Sequence, residues 1–341
     1  MTGPGWAALA GVGFGLFQSL NRQTLRGMDV WQSTFLQLLV SAVILLAATL
    51  ATEDVGGAWL ASPGALAAFL VAGLVHFFVG WMLLNASQKR IGAARTSPLL
   101  AATPLFGAIL AAVALGEVPG PVAVAAMLLI VAGVYLTLGT GIARGADTGD
   151  TADAAGAGGP RGVGGAGPGG GPGTARAAGD RRLRQGGWRR LVGTVTGWRA
   201  SLPGLGTAAC WAVSPLLVRQ GLRTLPSPLL GVTFGMFGAT VPQGLVLVMR
   251  RRRGLSQPVA WEAMPIKLAA GVLVGLSTWT RWVALDLSPV AVVLALGLLS
   301  VPTVMLVAPP LAGRHEERVT PRVWLGAALV VGGSVLLVLR G

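Results

Sequence analysis

The sequence is poor in charged residues, histidine and cysteine, the side chains on which most enzyme active sites and metal sites depend. Only 11% of its residues are charged, and it holds two histidines (His76 and His315) and one cysteine, Cys210. A single cysteine cannot form an internal disulfide, and two histidines without an acidic cluster offer little to a metal-dependent or nucleophilic enzyme. An integral membrane enzyme is therefore the weaker alternative, and the sequence predicts no catalytic residue, no metal and no cofactor.

Apolar residues, in contrast, are abundant. They make up 53% of the chain, and the mean hydropathy is +0.70. Long runs free of charge are typical of a polytopic membrane protein. The net charge of +14 comes from arginines between the apolar spans and in one linker, where membrane topology explains them better than nucleic acid does. The expected partners are a lipid bilayer and a small-molecule substrate, with no nucleic acid.

Ten apolar spans are predicted, each near the ~20 residues that cross a bilayer. They run approximately over Gly5–Leu20, Val30–Ala51, Gly64–Ser87, Thr96–Gly116, Pro121–Leu138, Ser201–Gln220, Ser227–Met249, Pro265–Leu285, Pro289–Gly313 and Val323–Leu339. The prediction is an all-α integral membrane protein.

The spans form two sets of five with a shared layout. The fourth span of the first set has Pro104 near its middle, and the same arrangement returns about 198 residues later with Pro302. A proline inside a span removes a backbone hydrogen bond, which is tolerated where protein or a water-filled cavity takes up the freed carbonyl. Both prolines are therefore predicted to be gate kinks. Because each set has an odd number of spans, the second set must enter the membrane in the opposite direction, which predicts an inverted repeat with a substrate site between the halves.

This layout resembles the EamA domain of the drug/metabolite transporter superfamily. Ser97–Pro98 opens the fourth span, Glu117 ends it, and Gly133 lies in the fifth. The second half departs from the pattern, since Leu296 stands where Pro98 would predict a proline, and the terminal acid is doubled as Glu316 and Glu317. The resemblance implies ten transmembrane helices around a central cavity and alternating access. It also implies transport of amino acids, other small metabolites or drugs, usually outward across a bacterial plasma membrane.

The predicted domains follow from the same division. The first five-helix repeat covers residues 1–139 and the second covers 201–341, with a Gly, Ala and Arg-rich linker over 140–200. The linker cannot bury a core and is expected to be disordered up to Gly187. Its end, 187–199, has Trp188, Leu191, Val195 and Trp198 at helical spacing, which favours an interfacial helix, with plain linker as the alternative.

Positive charge predicts the orientation of the spans. Connections after odd-numbered spans, without the linker, hold thirteen Lys and Arg residues, against four in the even connections and the C-terminal end. This asymmetry predicts cytoplasmic odd connections and both termini outside. The resemblance favours the opposite, because many superfamily members have both termini inside.

Ionisable groups inside spans are costly in hydrocarbon and usually face the bundle interior. Only His76, near the middle of the third span, and Arg281, beyond the middle of the eighth, stand out. His76 is predicted to line the cavity, with a hydrogen bond across a helix contact as the alternative. Arg281 can bind a carboxylate or phosphate, or reach the membrane interface instead. Further candidate substrate contacts are Trp279, Trp282, Trp81, Trp211 and Gln18.

No Asp or Glu lies deep in a predicted span, so a proton exchanger that works through a buried carboxylate is not expected. The sequence thus predicts a secondary, non-ATP transporter that exports or exchanges a small metabolite such as an amino acid. Multidrug efflux of cationic or aromatic compounds is the alternative.

Overall fold

The computed structural model divides the chain into two units. One holds Met1–Thr137 with Ser201–Gly341, and the other holds Leu138–Ala200. The residues that the structure describes are 1–25, 27–53, 63–115, 120–138, 199–313, 317 and 319–340. The predicted disordered linker and all but the last residue of the predicted interfacial helix lie outside these ranges.

The described part of the larger unit is built from helices and contains no strand. The helices are α1 (Gly3–Thr24), α2 (Val30–Thr52), α3 (Pro63–Ile91), α4 (Ala93–Leu100), α5 (Thr103–Leu115), α6 (Pro121–Leu138), α7 (Arg199–Leu222), α8 (Pro228–Arg252), α9 (Met264–Leu287), α10 (Val290–Gly297), α11 (Ser300–Ala312) and α12 (Pro321–Arg340). The all-helical prediction is confirmed for this part of the chain.

Among the described residues, seven helices are long and apolar enough to cross a membrane, so the chain is a multi-pass membrane protein. They cover the predicted second, third and sixth to tenth spans, with α10 and α11 counted as one helix over Val290–Ala312. The other three predicted spans differ for separate reasons. α1 carries interior polar groups such as Asn21, the fourth span is divided into α4 and α5, and α6 has an apolar stretch, Pro121–Thr137, of fewer than 18 residues. The ten-span arrangement with two inverted repeats stays a prediction.

Helices from the two halves of the sequence pack against each other throughout the bundle. α1 lies against α9, α10 and α11, α2 lies against α8 and α9, and α4 lies against α11 and α12. Phe17, Trp81 and Phe77 are fully buried at the centre of these contacts. Since lipid tails are as apolar as leucine, such close packing, rather than escape from water, holds membrane helices together.

α3 changes its helical pitch at the centre of the bundle. Leu74–Gly80 forms a π-helix, with regular α-helix before and after it. π-helical segments are rare and occur frequently at functional sites. This segment carries His76.

Candidate functional site

Two neighbouring cavities lie between the halves of the bundle. The first is lined from α1, α3, α7, α9 and α10. The second shares Phe14, Trp211, Arg281 and Gly297 with the first. Because four residues line both, we treat the two cavities as one candidate site. The remaining lining residues are Ala7, Ala10, Gly11, His76, Ser277, Thr278 and Val293 in the first cavity, and Leu100, Ala101, Thr103, Pro104, Leu294, Leu298 and Ser300 in the second.

His76 is fixed in the cavity wall by α7. Its Nδ1 lies 2.6 Å from Ser214 Oγ, and its ring stacks on Trp211 with centroids 4.9 Å apart and planes 10° apart. The indole Nε1 of Trp211 in turn donates a hydrogen bond to the His76 carbonyl oxygen at 3.3 Å. Gly80 makes room for this indole, because a Cβ there would lie 2.6 Å from Nε1. The imidazole therefore lines the cavity and also forms a hydrogen bond across the contact between α3 and α7. The sequence analysis had treated these two positions as alternatives.

Arg281 brings positive charge to the same cavity. It is half-buried on α9 and lines both cavities. Within the described part of the chain, no residue forms a hydrogen bond or ion pair with its guanidinium. An arginine within the bundle without a counter-charge is costly unless something else supplies the anion. The guanidinium is thus available to an anionic ligand, which it can hold through two parallel hydrogen bonds.

Phe14 and Trp211 give the site its aromatic walls. Their rings meet edge to face with centroids 5.3 Å apart, and both line the two cavities. An apolar or aromatic part of a ligand can pack against these faces while Arg281 holds a polar group.

Both helices that carry a mid-span proline are interrupted beside the site. α4 ends at Leu100 and α5 begins at Thr103, while α10 ends at Gly297 and α11 begins at Ser300. Each proline lies in the first turn after the break, and Pro104 lines the second cavity whereas Pro302 is not among its lining residues.

The carbonyl groups at the first break are satisfied by side chains. Thr103 Oγ1 donates to Leu100 O at 2.6 Å, and Ser334 Oγ of α12 donates to Ala101 O at 2.6 Å. Irregular backbone at membrane depth is tolerated where protein or a cavity surrounds it. The prolines thus stand where a gate would bend, but their gating role stays a prediction.

Four predicted substrate contacts do not line the two cavities. Trp81 packs in the core between Phe17 and Phe77, with ring centroids 6.3 Å and 5.1 Å away. Trp282 packs on Phe69 at 5.5 Å, and Trp279 meets Trp6 edge to face at 5.8 Å. Gln18 is buried, and its Oε1 accepts a hydrogen bond from Gln88 Nε2 at 3.3 Å. Of the seven predicted contacts, the structure brings His76, Arg281 and Trp211 together around the cavities.

At one end of the bundle lies a polar cluster of which the sequence analysis singled out only Gln18. We call this end of the bundle the closed end, because its polar side chains are fully buried. α1 and α3 end there, and α2, α4 and α9 begin there. The cluster is centred on Asn21, whose Nδ2 donates to Asn85 Oδ1 at 2.7 Å and to Gln88 Oε1 at 2.9 Å. Asn85 Nδ2 continues the network to Thr34 Oγ1 at 2.8 Å. All members are fully buried; they are Gln18, Asn21, Ser33, Thr34, Gln37, Asn85, Gln88 and Lys267.

Lys267 is the charged member of this polar cluster. Its Nζ donates to Asn21 Oδ1 at 2.5 Å and to Ser33 Oγ at 2.6 Å. Because Lys267 is near the boundary of a predicted span, the sequence analysis counted it with the residues that connect two spans. A signal was present in its position two residues after Pro265, because a proline there marks the first helical turn and thus puts the lysine inside a helix.

A second contact fastens the closed end between the two halves. Glu317 Oε1 accepts hydrogen bonds from Arg22 Nε at 2.9 Å and from the Ala93 amide at 3.0 Å, and Oε2 accepts one from the Ala94 amide at 3.0 Å. A carboxylate at a helix N-terminus is stabilised by the free amides and the helix dipole. Gly92 permits this approach, since it has φ of +85° and a Cβ there would lie 2.6 Å from Glu317 Oε1.

The described residues contain no group of three or more His, Cys, Asp or Glu side chains that could hold a metal ion. The groups that the site offers to a ligand are one guanidinium, one imidazole, several hydroxyls and aromatic faces.

Comparison with known proteins gives a family match for the first part of the chain and a fold for nearly all of it. Residues 1–139 match the model of the EamA-like transporter family. No curated protein matches the chain. Thirteen chains of solved structures match it, and one of them, described only as "Crystal structure of protein", is similar with a TM-score of 0.55 at 20% sequence identity. That similarity covers 97% of this chain and 95% of the other, so the fold extends over both halves.

Proposed function

We propose that this chain, whose first 139 residues match the model of the EamA-like transporter family, is a secondary transporter of small carboxylate-bearing metabolites such as amino acids. It exports or exchanges them by alternating access, with the candidate site between the halves holding the substrate. The family consists of transporters rather than enzymes.

The presence of Arg281 in the cavity is the observation that carries the substrate class. Its guanidinium lines both cavities and has no partner among the described residues. A carboxylate supplies the missing negative charge and fits the two parallel donors of the guanidinium. A cationic substrate would instead meet a like charge, which weighs against efflux of cationic drugs.

The walls of the site suit a small organic ligand, because they combine aromatic and aliphatic side chains with a few polar groups. Phe14 and Trp211 suit an apolar side chain, and the His76 imidazole offers a polar contact beside them. Alternating access would then expose the site to one side of the membrane at a time.

Transport assays on reconstituted protein test this function. Proteoliposomes are offered a panel of radiolabelled amino acids, small carboxylic acids and cationic dyes, first with the natural chain and then with Arg281→Gln. We expect carboxylates to be transported, and the substitution to lower their kcat/KM at least tenfold, because a charged hydrogen-bonded pair contributes about 1.5–3 kcal/mol.

Arg219→Gln is the matched control. Arg219 lies on α7, and its Nη1 donates to the Ser288 carbonyl oxygen at 3.3 Å, away from the cavity lining. This variant should transport carboxylates within about twofold of the natural chain. Preferred transport of cationic dyes, or unchanged carboxylate transport by Arg281→Gln, would overturn the proposal and favour multidrug efflux.

A further inference from the structure

Lys267 places an ionisable amine in a cluster of neutral partners. The residue is fully buried, and its Nζ contacts the amide oxygen of Asn21 and the hydroxyl of Ser33 at 2.5 and 2.6 Å. The rest of the cluster consists of amides and hydroxyls. An amide side chain could donate to the same two oxygens without bringing a charge into the bundle. The choice of an ionisable amine at this position therefore needs an explanation.

No carboxylate among the described residues pairs with this ammonium. Glu317 binds Arg22, and Asp29 lies 3.4 Å from Arg250. Glu53, Glu262 and Asp286 form no ion pair with Lys267 either. Removing a charge from water costs several kcal/mol unless a counter-charge compensates it, so an anion would stabilise the ammonium form of Lys267 more than its neutral partners do.

Lys267 and Arg281 lie on the same side of α9. They are 14 residues apart, which is close to four helical turns and corresponds to about 21 Å along the axis. Val274 and Thr278 between them are buried. One interior face of α9 thus carries a cation in the cavity and a second cation in the closed end.

We infer that Lys267 is a second anion-binding residue on the transport path, which meets the substrate carboxylate when the closed end opens. This inference rests on the proposed function and adds the route to it. In the structure the Lys267 ammonium donates its hydrogen bonds to the cluster residues Asn21 and Ser33. When α1 and α2 move away from α9 on opening, the ammonium loses these partners and faces the passage that an anion must cross.

Charge-selective labelling tests this inference without a known substrate. The reporter is Ser33→Cys in a Cys210→Ser background, full-length and in native membranes. It is labelled with two methanethiosulfonate reagents, one carrying a negative sulfonate and one a positive trimethylammonium group. The measured quantity is the ratio of the two rates. Any change in the fraction of open protein or in the reactivity of the thiol cancels in this ratio.

With Lys267 present, the anionic reagent should react faster, and Lys267→Gln should lower the ratio about tenfold, as removal of a charge within ~4 Å predicts. Lys267→Arg should keep the ratio within about twofold, because the charge is retained. Should the Ser33→Cys protein not accumulate, Asn21→Cys serves as a second reporter, since Asn21 Oδ1 also contacts Nζ. Likewise Lys267→Met, which matches lysine in length, replaces Lys267→Gln.

Lys89 provides the matched control lysine. It lies at the same end of the bundle, and its Nζ donates to the Met28 carbonyl oxygen at 2.6 Å rather than to the polar cluster. Lys89→Gln should leave the ratio unchanged. The inference is overturned if Lys267→Gln has no effect on the ratio, if Lys89→Gln has an equal effect, or if neither reagent labels either reporter.

The result is independent of the proposed function. Arg281→Gln should not change the labelling ratio at the closed end, and the labelling ratio does not depend on which compound is transported. A charge-selective path with no carboxylate transport would therefore contradict only the proposed function, and transport without charge selectivity would contradict only the role of Lys267.

Discussion

The two ends of the bundle use polar side chains in opposite ways. Around the cavities, one arginine and one histidine stand among aromatic and small residues, and the guanidinium has no described partner. At the closed end, eight buried polar residues bond mainly to one another, and Glu317 joins Arg22 to the start of α4. In the proposed function, the unpaired guanidinium is where a ligand binds, whereas the largely hydrogen-bonded cluster holds helices that would separate. Its polar groups would be hydrated if that end opened, which a purely aliphatic seal would resist.

The largest effect is expected from the contact that fastens the closed end. Glu317→Gln removes the charge that accepts hydrogen bonds from Arg22 and from two amides of α4. The loss of about 2 kcal/mol should raise the labelling rate of the Ser33→Cys reporter by more than tenfold with either reagent. Glu262→Gln, at an exposed acid just before α9, is the control and should leave the rate unchanged. A rate for Glu317→Gln that equals the control would mean that this contact does not hold the end shut.

An intermediate effect is expected at the imidazole. His76→Ala removes the bond to Ser214 and the stack on Trp211, so the cavity wall loses order and a polar contact. Transport of the carboxylate found in the panel should show a KM about five- to tenfold higher. Labelling at the closed end should not change, because His76 belongs to the other region. Transport rate and affinity equal to those of the natural chain would remove His76 from the site.

The smallest effect is expected from a predicted contact that the structure places in the core. Trp81 is fully buried, and its Nε1 has no hydrogen-bond partner among the residues that the structure describes. Trp81→Phe deletes this unpaired donor and some packing, which offset each other, so KM should change less than about twofold. Trp211→Phe, in which Nε1 and part of a cavity wall are lost, should raise KM more. A larger rise in KM for Trp81→Phe than for Trp211→Phe would indicate that Trp81 contacts the substrate.

The sequence predicted well what depends on hydrophobicity alone. Charge-free runs locate helices because a bilayer demands them, and the prediction for α6, Pro121–Leu138, has the same bounds as the helix. The kinks at Pro104 and Pro302 were predicted because proline has no amide hydrogen for the helix, and the structure has a helix break just before each proline. His76 and Arg281 could be singled out because charge is expensive in lipid.

Side-chain direction is what the sequence could not supply. Trp81, Trp282 and Trp211 are equally apolar in a sequence, yet only Trp211 lines the cavities, since rotation of each helix depends on packing across the bundle. Lys267 was hidden for the same reason. A lysine in a first turn usually reaches water, and only the approach of Asn21 and Ser33 from two other helices buries it.

The most direct test compares a transported carboxylate with its neutral amide analogue in the natural chain and in Arg281→Gln. Competition for uptake into proteoliposomes gives the affinity for each compound. If Arg281 holds the carboxylate, the natural chain should prefer the acid by at least tenfold, and the variant should lose this preference while its affinity for the amide stays nearly constant. An equal preference for the acid in both proteins would contradict the assignment of the site.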